Sequence, residues 1–404
     1  MRKGKGMSLA TAAVVAVAIM AAVAAGAPRP GSQAGTTPAS PPPTGAPAPG
    51  AGGASAPASR PSSAAPTPMR TTGIARPDPA NPLHDLREKH LANIRQLTFG
   101  GENAEAYFDY QGRNLIFQTT RDGRDCDQIY TMTTEGKNVR MVSTGRGRCT
   151  CSYFFPDGKR ILYASTHMAA DACPPKPDRS RGYVWALYDS YDIFTADPDG
   201  GNVKRIIDHP GYDAEATISE DGSRIVFTSM RDGDVDLYTM APDGTALRRV
   251  THEPGYDGGA FFSPDGKRLV YRASRPRTPG EMEDWQALLK DRLVRPTTLE
   301  IQVANADGSA ARAVTKLGAA SFGPYWFRDG RRIIFASNHG DAGGMNFDLY
   351  AISDDGTGLE RITWNDTFDG FPMFTRDGKK LVFASNRCNA KPGETNVFIA
   401  DWVP

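Results

Sequence analysis

The 404-residue sequence has no Gly-x-Ser-x-Gly elbow, no His-Glu-x-x-His and no P-loop. The first absence excludes an attached serine hydrolase of the elbow type, and the others exclude the zinc-peptidase and phosphate-cradling signatures. Its six histidines, His84, His90, His167, His209, His252 and His339, are scattered. His209 and His252 hold matching places just ahead of Pro-Gly-Tyr and Glu-Pro-Gly-Tyr, which points to loop shaping rather than to a general base. Net charge is also lacking. The formal value is +1, and it falls to −2 once Arg2, Lys3 and Lys5 are set aside. A chain this close to neutral is a poor nucleic-acid binder by charge, so no nucleic-acid partner is expected.

Large apolar side chains are almost missing from residues 28–82, where Pro, Ala, Gly, Ser and Thr dominate. Such a stretch cannot bury enough surface to offset its ordering entropy, and it reads as a disordered linker. Residues 1–27 have the layout of an export signal: Arg2, Lys3 and Lys5, an apolar centre from Leu9 to Val23, then Ala25-Gly26-Ala27 for cleavage. The expectation is a periplasmic or secreted protein. The alternative is an uncleaved inner-membrane anchor, since the apolar run approaches the ~18–20 residues that span a bilayer. Only in that case is a membrane contact expected. No cysteine follows the run to carry a bacterial lipid anchor.

Residues 83–404 are built on a fixed interval. Gly136 to Gly158, Gly200 to Gly222, Gly244 to Gly266, Gly308 to Gly330 and Gly356 to Gly378 are each 22 residues apart. A constant spacing marks stacked or radially repeated units. The first turn of each unit, at Gly112, Gly158, Gly222, Gly266, Gly330 and Gly378, leads into a β-rich run such as Arg224-Ile225-Val226-Phe227 or Arg332-Ile333-Ile334-Phe335. Asp-Gly between such runs is a hairpin signal, because glycine accepts the positive φ of the reversal. A second strand pair follows, opened by Gln128-Ile129, Asp192-Ile193, Asp236-Leu237, Glu300-Ile301 and Asp348-Leu349. Six units of four antiparallel strands predict an all-β, six-bladed β-propeller. The last unit lacks its outer strand, and Ile94-Arg95-Gln96-Leu97-Thr98 is expected to supply it, which removes an exposed edge.

Two segments of this repeat, Ser263-Pro264-Asp265-Gly266-Lys267-Arg268-Leu269-Val270-Tyr271 and Ser229-x-Arg231-Asp232-Gly233-x-x-Asp236-Leu237-Tyr238, resemble the propeller repeats of the TolB family. The resemblance covers about residues 93–404 and the propeller part only. Where TolB has an α/β domain ahead of the propeller, this sequence has the Pro/Ala-rich tether. The resemblance implies a cell-envelope propeller that works through protein contacts.

Both turns of a blade fall on one face of the disc, so the remaining loops share the other. Length variation is confined there: the two turn glycines of a blade lie 22 to 26 residues apart in blades 1, 3 and 5, but 42 apart in blades 2 and 4. Insertions on one face of a repeat array often mark the binding face. The blade-4 insert reads as a short helix, Glu281 to Lys290, with Trp285, Leu288 and Leu289 on one side, either packed on its own propeller or exposed to a partner. The blade-2 insert carries Tyr183, Trp185 and Tyr188. These residues, with Trp285 and with Tyr212, Tyr256 and Phe368 beside the channel, are the candidate contacts for a protein or peptide partner.

Repeat alignment yields two rings. Asp213, Asp257 and Asp369 begin inner strands, with Glu105 and Glu215 two residues further along theirs. Arg121, Arg231, Arg275 and Arg387 share the loop position with His167 and His339. The plain reading is that these arginines tie neighbouring blades through carboxylates. The sharper one gathers the carboxylates around a hard cation such as calcium; no other cofactor is expected. The rival to a binding scaffold is therefore a small-ligand or metal-dependent lyase/lactonase-type site at the channel mouth. Of the five cysteines, Cys126, Cys149, Cys151, Cys173 and Cys388, an oxidising compartment would pair some, with Cys173 to Cys149 or Cys151 pinning the insert. Zinc near His167 is a weaker alternative, because Cys-x-Cys is a poor zinc spacing.

Overall fold

The computed structural model describes residues 76–178 and 180–404, so the export signal and residues 28–75 of the linker lie outside the described residues. Six four-stranded antiparallel sheets form the propeller. Blade 1 shows the order that repeats: inner strand Asn103–Phe108, then Asn114–Thr119, Gln128–Thr133 and the short outer strand Arg140–Met141. The other inner strands are Cys149–Phe154, Asp213–Ile218, Tyr256–Phe262, Ser321–Trp326 and Asp369–Phe374. Blade 6 closes as expected. Its outer strand is Leu91–Gln96, paired with Asn396–Trp402, so both ends of the propeller meet in one sheet.

Two features of the repeat explain why the blades stack. The fifth residue after each first-turn glycine is aromatic and fully buried: Phe117, Tyr163, Phe227, Tyr271, Phe335 and Phe383. In five blades it faces a second aromatic ring across the next strand (Phe117↔Tyr130, Tyr163↔Phe194, Phe227↔Tyr238, Phe335↔Tyr350, Phe383↔Phe398), with ring centres 5.8 to 6.2 Å apart. Such pairs add to the burial itself. The second-turn glycine packs against the preceding blade. At Gly308, φ +89°, a Cβ would lie 2.0 Å from the carbonyl oxygen of Val250, so no other residue fits.

A strand pair, Pro77–Asp78 with Asn81–Asp85, begins ahead of residue 83, inside the stretch whose composition reads as linker. Behind it Glu88, fully buried, accepts from both terminal nitrogens of Arg387 at 3.0 and 3.1 Å and from the Trp364 amide at 3.0 Å. Arg387 also donates to the Leu83 carbonyl at 2.8 Å, which seats this segment on the insert-bearing face of blade 6. Among the described residues no helix is long and apolar enough to cross a membrane.

Candidate functional site at the channel mouth

Each inner strand carries a bulge at the same place, where its register against the next strand slips. A bulge turns one residue out of the pleat and re-aims its side chain. The six residues concerned are Glu105, Cys151, Glu215, Gly259, Gly323 and Phe371, all with φ between +51° and +59°. Four of them are not glycine, and a side chain in this region costs about 1–3 kcal/mol. They form a ring in the channel, polar on the side of blades 1 to 3 and bare or apolar on the other. Two residues deeper, Tyr107, Tyr153, Phe261 and Tyr325 meet with ring centres 5.3 to 6.0 Å apart. This aromatic plug makes the insert-face mouth a blind pocket.

The two inserts close that pocket from above. Trp185–Ala186 of blade 2 pairs antiparallel with Leu293–Val294 of blade 4, in the register Trp185↔Val294 and Ala186↔Leu293. The helix Pro279–Lys290 leads into this pairing, started by a reciprocal cap between Thr278 and Glu281. Its Trp285, Leu288 and Leu289 are buried against the roof strands and the rims of blades 3 and 4, so Trp285 is 8% exposed and is no free anchor. Ion pairs tie the inserts on their outer side, Arg181–Asp291 and Arg292–Asp189 each at 2.7 Å, and Arg295, held by Asp284 of its own insert at 3.1 Å, donates across to the Arg181 carbonyl at 2.8 Å. Exposed pairs contribute little singly, and here they fix register.

A disulfide joins Cys126 of the blade-1 loop to Cys173 of the blade-2 insert. This corrects the pairing of Cys173 with Cys149 or Cys151. Cys149 is fully buried and its thiol donates to Ser165, whereas Cys151 sits on a bulge and points into the channel. His167 is held by the Ser165 hydroxyl at 2.8 Å. Peptide mapping without reduction is expected to recover the Cys126–Cys173 link and free thiols at Cys149, Cys151 and Cys388.

Beneath the roof lies a cavity of about 110 Å³, lined by residues of all six blades and by Trp185 to Tyr188 of the roof. Its floor is organised by one carboxylate. Glu215 accepts from Arg272 at 2.7 Å, the Tyr256 hydroxyl at 2.9 Å, Thr228 at 2.9 Å and the Gly259 amide at 2.7 Å. A Cβ on Gly258 would meet the Tyr256 hydroxyl at 2.3 Å and Glu215 at 2.4 Å, so the glycine there makes room for this network. The Arg272 guanidinium lies 5.3 Å from the Trp185 ring, which docks the roof on the floor. Burial opposes its charge, but Glu215, Tyr256 and Glu105 outweigh that and hold it protonated. A second buried pair, Arg148 with Asp127 at 3.1 Å, stands at the blade-1 side. Glu105 is raised to about 7, first by burial and then by Glu215 and Asp127, with a hydrogen bond from Cys151 and the charge of Arg272 pulling it back.

Of the candidate contacts, Trp185, Tyr188, Tyr212 and Tyr256 come together in this pocket, and with them Glu105 and Glu215 of the candidate cation ligands. Tyr183 accepts a hydrogen bond from the Trp185 indole at 2.9 Å. Phe368 goes elsewhere, into a buried cluster with Phe322, Phe347 and Phe371. The two rings pair with each other: Arg231–Asp213 at 2.8 Å, Arg275–Asp257 at 2.6 Å and Arg387–Asp369 at 2.8 Å. Each pair closes within its own blade, which corrects the reading of ties between neighbours. Arg121, at the same loop position, only approaches Asp122 at 3.8 Å and lies over the Tyr130 ring. The three aspartates and Glu215 are thus drawn to separate arginines rather than to one point, and among the described residues no trio of His, Cys, Asp or Glu is placed to hold a metal ion.

Arg272, Gln118, Asp127 and Arg148 also line the site, and the sequence reading does not single them out. A signal exists for two of them. Six residues after each first-turn glycine stand Ala164, Thr228, Ala336 and Ala384 in four blades, but Gln118 and Arg272 in the others. A long polar side chain in a row of small ones marks a place where the strand has something to reach.

A family model for the TolB β-propeller domain matches residues 176–283. The solved structure of a TolB from Agrobacterium tumefaciens is 16% identical with a TM-score of 0.52, over 77% of this chain and 97% of that one. TolB from Acinetobacter baumannii is 16% identical with a TM-score of 0.50, over 75% of this chain, which spans 64% of that longer protein. An oligogalacturonate lyase from Vibrio parahaemolyticus aligns at 14% identity and a TM-score of 0.47, over 77% of this chain and 93% of that one. No curated protein matches this sequence. At these identities the structural neighbours carry the fold alone. The chain is a six-bladed β-propeller, similar over residues 176–283 to the TolB β-propeller domain.

Proposed function

We propose that this propeller is an exported binding protein whose site is the roofed, blind pocket at the insert-face mouth, and that it takes a small ligand there. The observation that carries the reading is the pairing of the two long inserts over one cavity. Two insertions that start from different blades and meet across the channel are what a built cover requires. A concave, aromatic-walled site with a few fixed polar groups is the usual form of a small-molecule site. The strained ring at its floor supports the same reading, because strain of this kind clusters where a ligand is handled. A protein or peptide partner on the same face is the second reading. It is weakened by the burial of Trp285 within the roof and kept by the exposed outer side of the inserts.

Export is supported by the basic–apolar–small pattern of residues 1–27 and by the Cys126–Cys173 link, which persists in oxidising compartments. The test of the site compares wild type with Trp185→Ala in a fragment screen by ligand-observed NMR. Hits that bind wild type and lose at least about tenfold affinity in the variant, roughly 1.4 kcal/mol, support the pocket. Hits indifferent to Trp185, together with capture of an envelope protein that is lost when both inserts are trimmed, would move the function to the outer surface.

A further inference from the structure

The pocket's charges do not cancel, and the imbalance points to the chemistry of its occupant. Five ionisable side chains line it: Glu105, Asp127 and Glu215 against Arg148 and Arg272, a net of −1 once Glu105 is ionised. Asp127 is held by Arg148 and Glu215 by Arg272. Both guanidiniums are therefore committed to buried carboxylates, and an anionic ligand would have to break a buried pair to reach either. Glu105 is different. The Cys151 thiol and the charge of Arg272 both favour its ionised form, but no arginine, lysine or histidine among the described residues makes a direct ion pair with it. Trp185, Tyr188, Tyr191, Phe322 and Phe371 face the same space. A carboxylate with no direct ion pair, beside aromatic faces, is an arrangement that can recognise a cation carried on an organic group.

We propose that the roofed pocket binds an alkylammonium group, seated with its charge on Glu105 and its carbon chain against the aromatic wall. This rests on the reading of the pocket as a ligand site and names the ligand class. The volume of about 110 Å³ is smaller than the cavity of about 150 Å³ that holds benzene in an engineered protein core, so a short chain fits and a bulky amine does not. A metal ion is a poorer occupant of these groups, since no further His, Cys, Asp or Glu is placed to complete a shell among the described residues.

The occupant also changes how Glu105 titrates. In the free pocket this carboxyl holds its proton up to about pH 7. The charged groups that bear on it are Asp127, Glu215 and Arg272, with the Cys151 thiol in contact. A bound ammonium favours the ionised carboxylate, so binding releases that proton and affinity rises as pH passes upward through about 7.

The test uses three probes of one shape, n-butylammonium, n-butanol and n-butyrate, titrated into the intact propeller and followed by NMR shifts. The expected result is an affinity order of ammonium, then alcohol, then carboxylate, with ammonium binding about tenfold tighter at pH 8 than at pH 6. Glu105→Gln keeps the shape of the side chain and is expected to lose at least about tenfold of the ammonium affinity while leaving butanol within about twofold. Should the variant fold poorly, the wild-type pH profile decides the same point. A blocked lysine, N-acetyl-lysine-methylamide, binding tighter than n-butylammonium would assign the group to a peptide side chain; weaker binding would assign it to a free amine. Butanol or butyrate binding as tightly as the ammonium, in a Trp185-dependent way, overturns the cation and leaves the pocket standing. No binding of any probe overturns both.

Discussion

Glu215→Ala is expected to lower the unfolding free energy by about 3–5 kcal/mol, because it leaves the Arg272 guanidinium buried without its carboxylate. Urea unfolding with an unchanged slope and a lower midpoint is the measurement. The effect is large for three reasons that add at one atom group. Glu215 is an acceptor for Arg272, Tyr256, Thr228 and the Gly259 amide, so truncation strands several donors together. Those donors come from blades 3 and 4, so the loss falls on the interface between them. Arg272 also carries Trp185, and the roof is expected to loosen with the floor. Pairing Glu215→Ala with Arg272→Met should recover most of the stability, since a buried ion pair is seldom worth more than a well-packed apolar replacement. A double variant no better than the single one would show that the network, rather than the orphaned charge, sets the loss.

Glu105→Gln is expected to act in the opposite direction. In the folded protein this carboxyl titrates at about 7, against 4.5 for an ordinary glutamate, so the folded state holds its proton more tightly than the unfolded one. The stability from that extra affinity is complete below about pH 4.5 and is lost as pH rises through 7. Glutamine has no proton to lose. The variant should therefore match wild type near pH 4.5 and exceed it by about 1–3 kcal/mol at pH 8. Melting curves at the two pH values, read as a difference between the proteins, check the sign. Asp257 and Glu102, each also raised to about 7 by burial, and Asp348, raised to about 8, are common to both proteins and drop out of the comparison. A residue whose removal stabilises the protein at neutral pH is retained at a cost, which is the usual mark of a functional group.

Much of the architecture is readable from glycine. The 22-residue intervals and the glycine turns locate the blades, because every turn glycine has positive φ and those of the second turns also face a carbonyl of the preceding blade, at Gly308 the Val250 carbonyl 2.0 Å from where a Cβ would be. The closing strand is readable from its likeness to the outer strands of other blades. The site is readable only in pieces. Glu105 and Glu215 stand out because charge at a repeated inner-strand position is unusual, yet nothing in the pattern shows that these residues sit on bulges at positive φ. Trp185 and Trp285 are recognisable as anchors, but not their place in a common roof, where Trp285 is buried and Trp185 half-buried. That arrangement depends on a two-residue strand pairing between inserts more than a hundred residues apart, which no local preference encodes. The disulfide escapes the sequence for the same reason: Cys126 and Cys173 are 47 residues apart, and only the folded blade-1 loop brings them together. Arg272 is easily passed over, because a lone arginine in a strand reads as an edge residue until the row it belongs to is written out.

The pairing of the inserts over the channel mouth is tested most directly by a cross-link. Ala186 and Leu293 are opposite one another, next to the hydrogen bond from the Leu187 amide to the Arg292 carbonyl at 2.8 Å. Opposed residues beside such a bond lie close enough for a disulfide. In a Cys388→Ser background, Ala186→Cys with Leu293→Cys is expected to oxidise to a single intramolecular link, found by peptide mapping alongside Cys126–Cys173. Two free thiols at 186 and 293 after the same oxidation, in a protein that still melts cooperatively, would mean that the inserts stand apart and that the mouth has no roof.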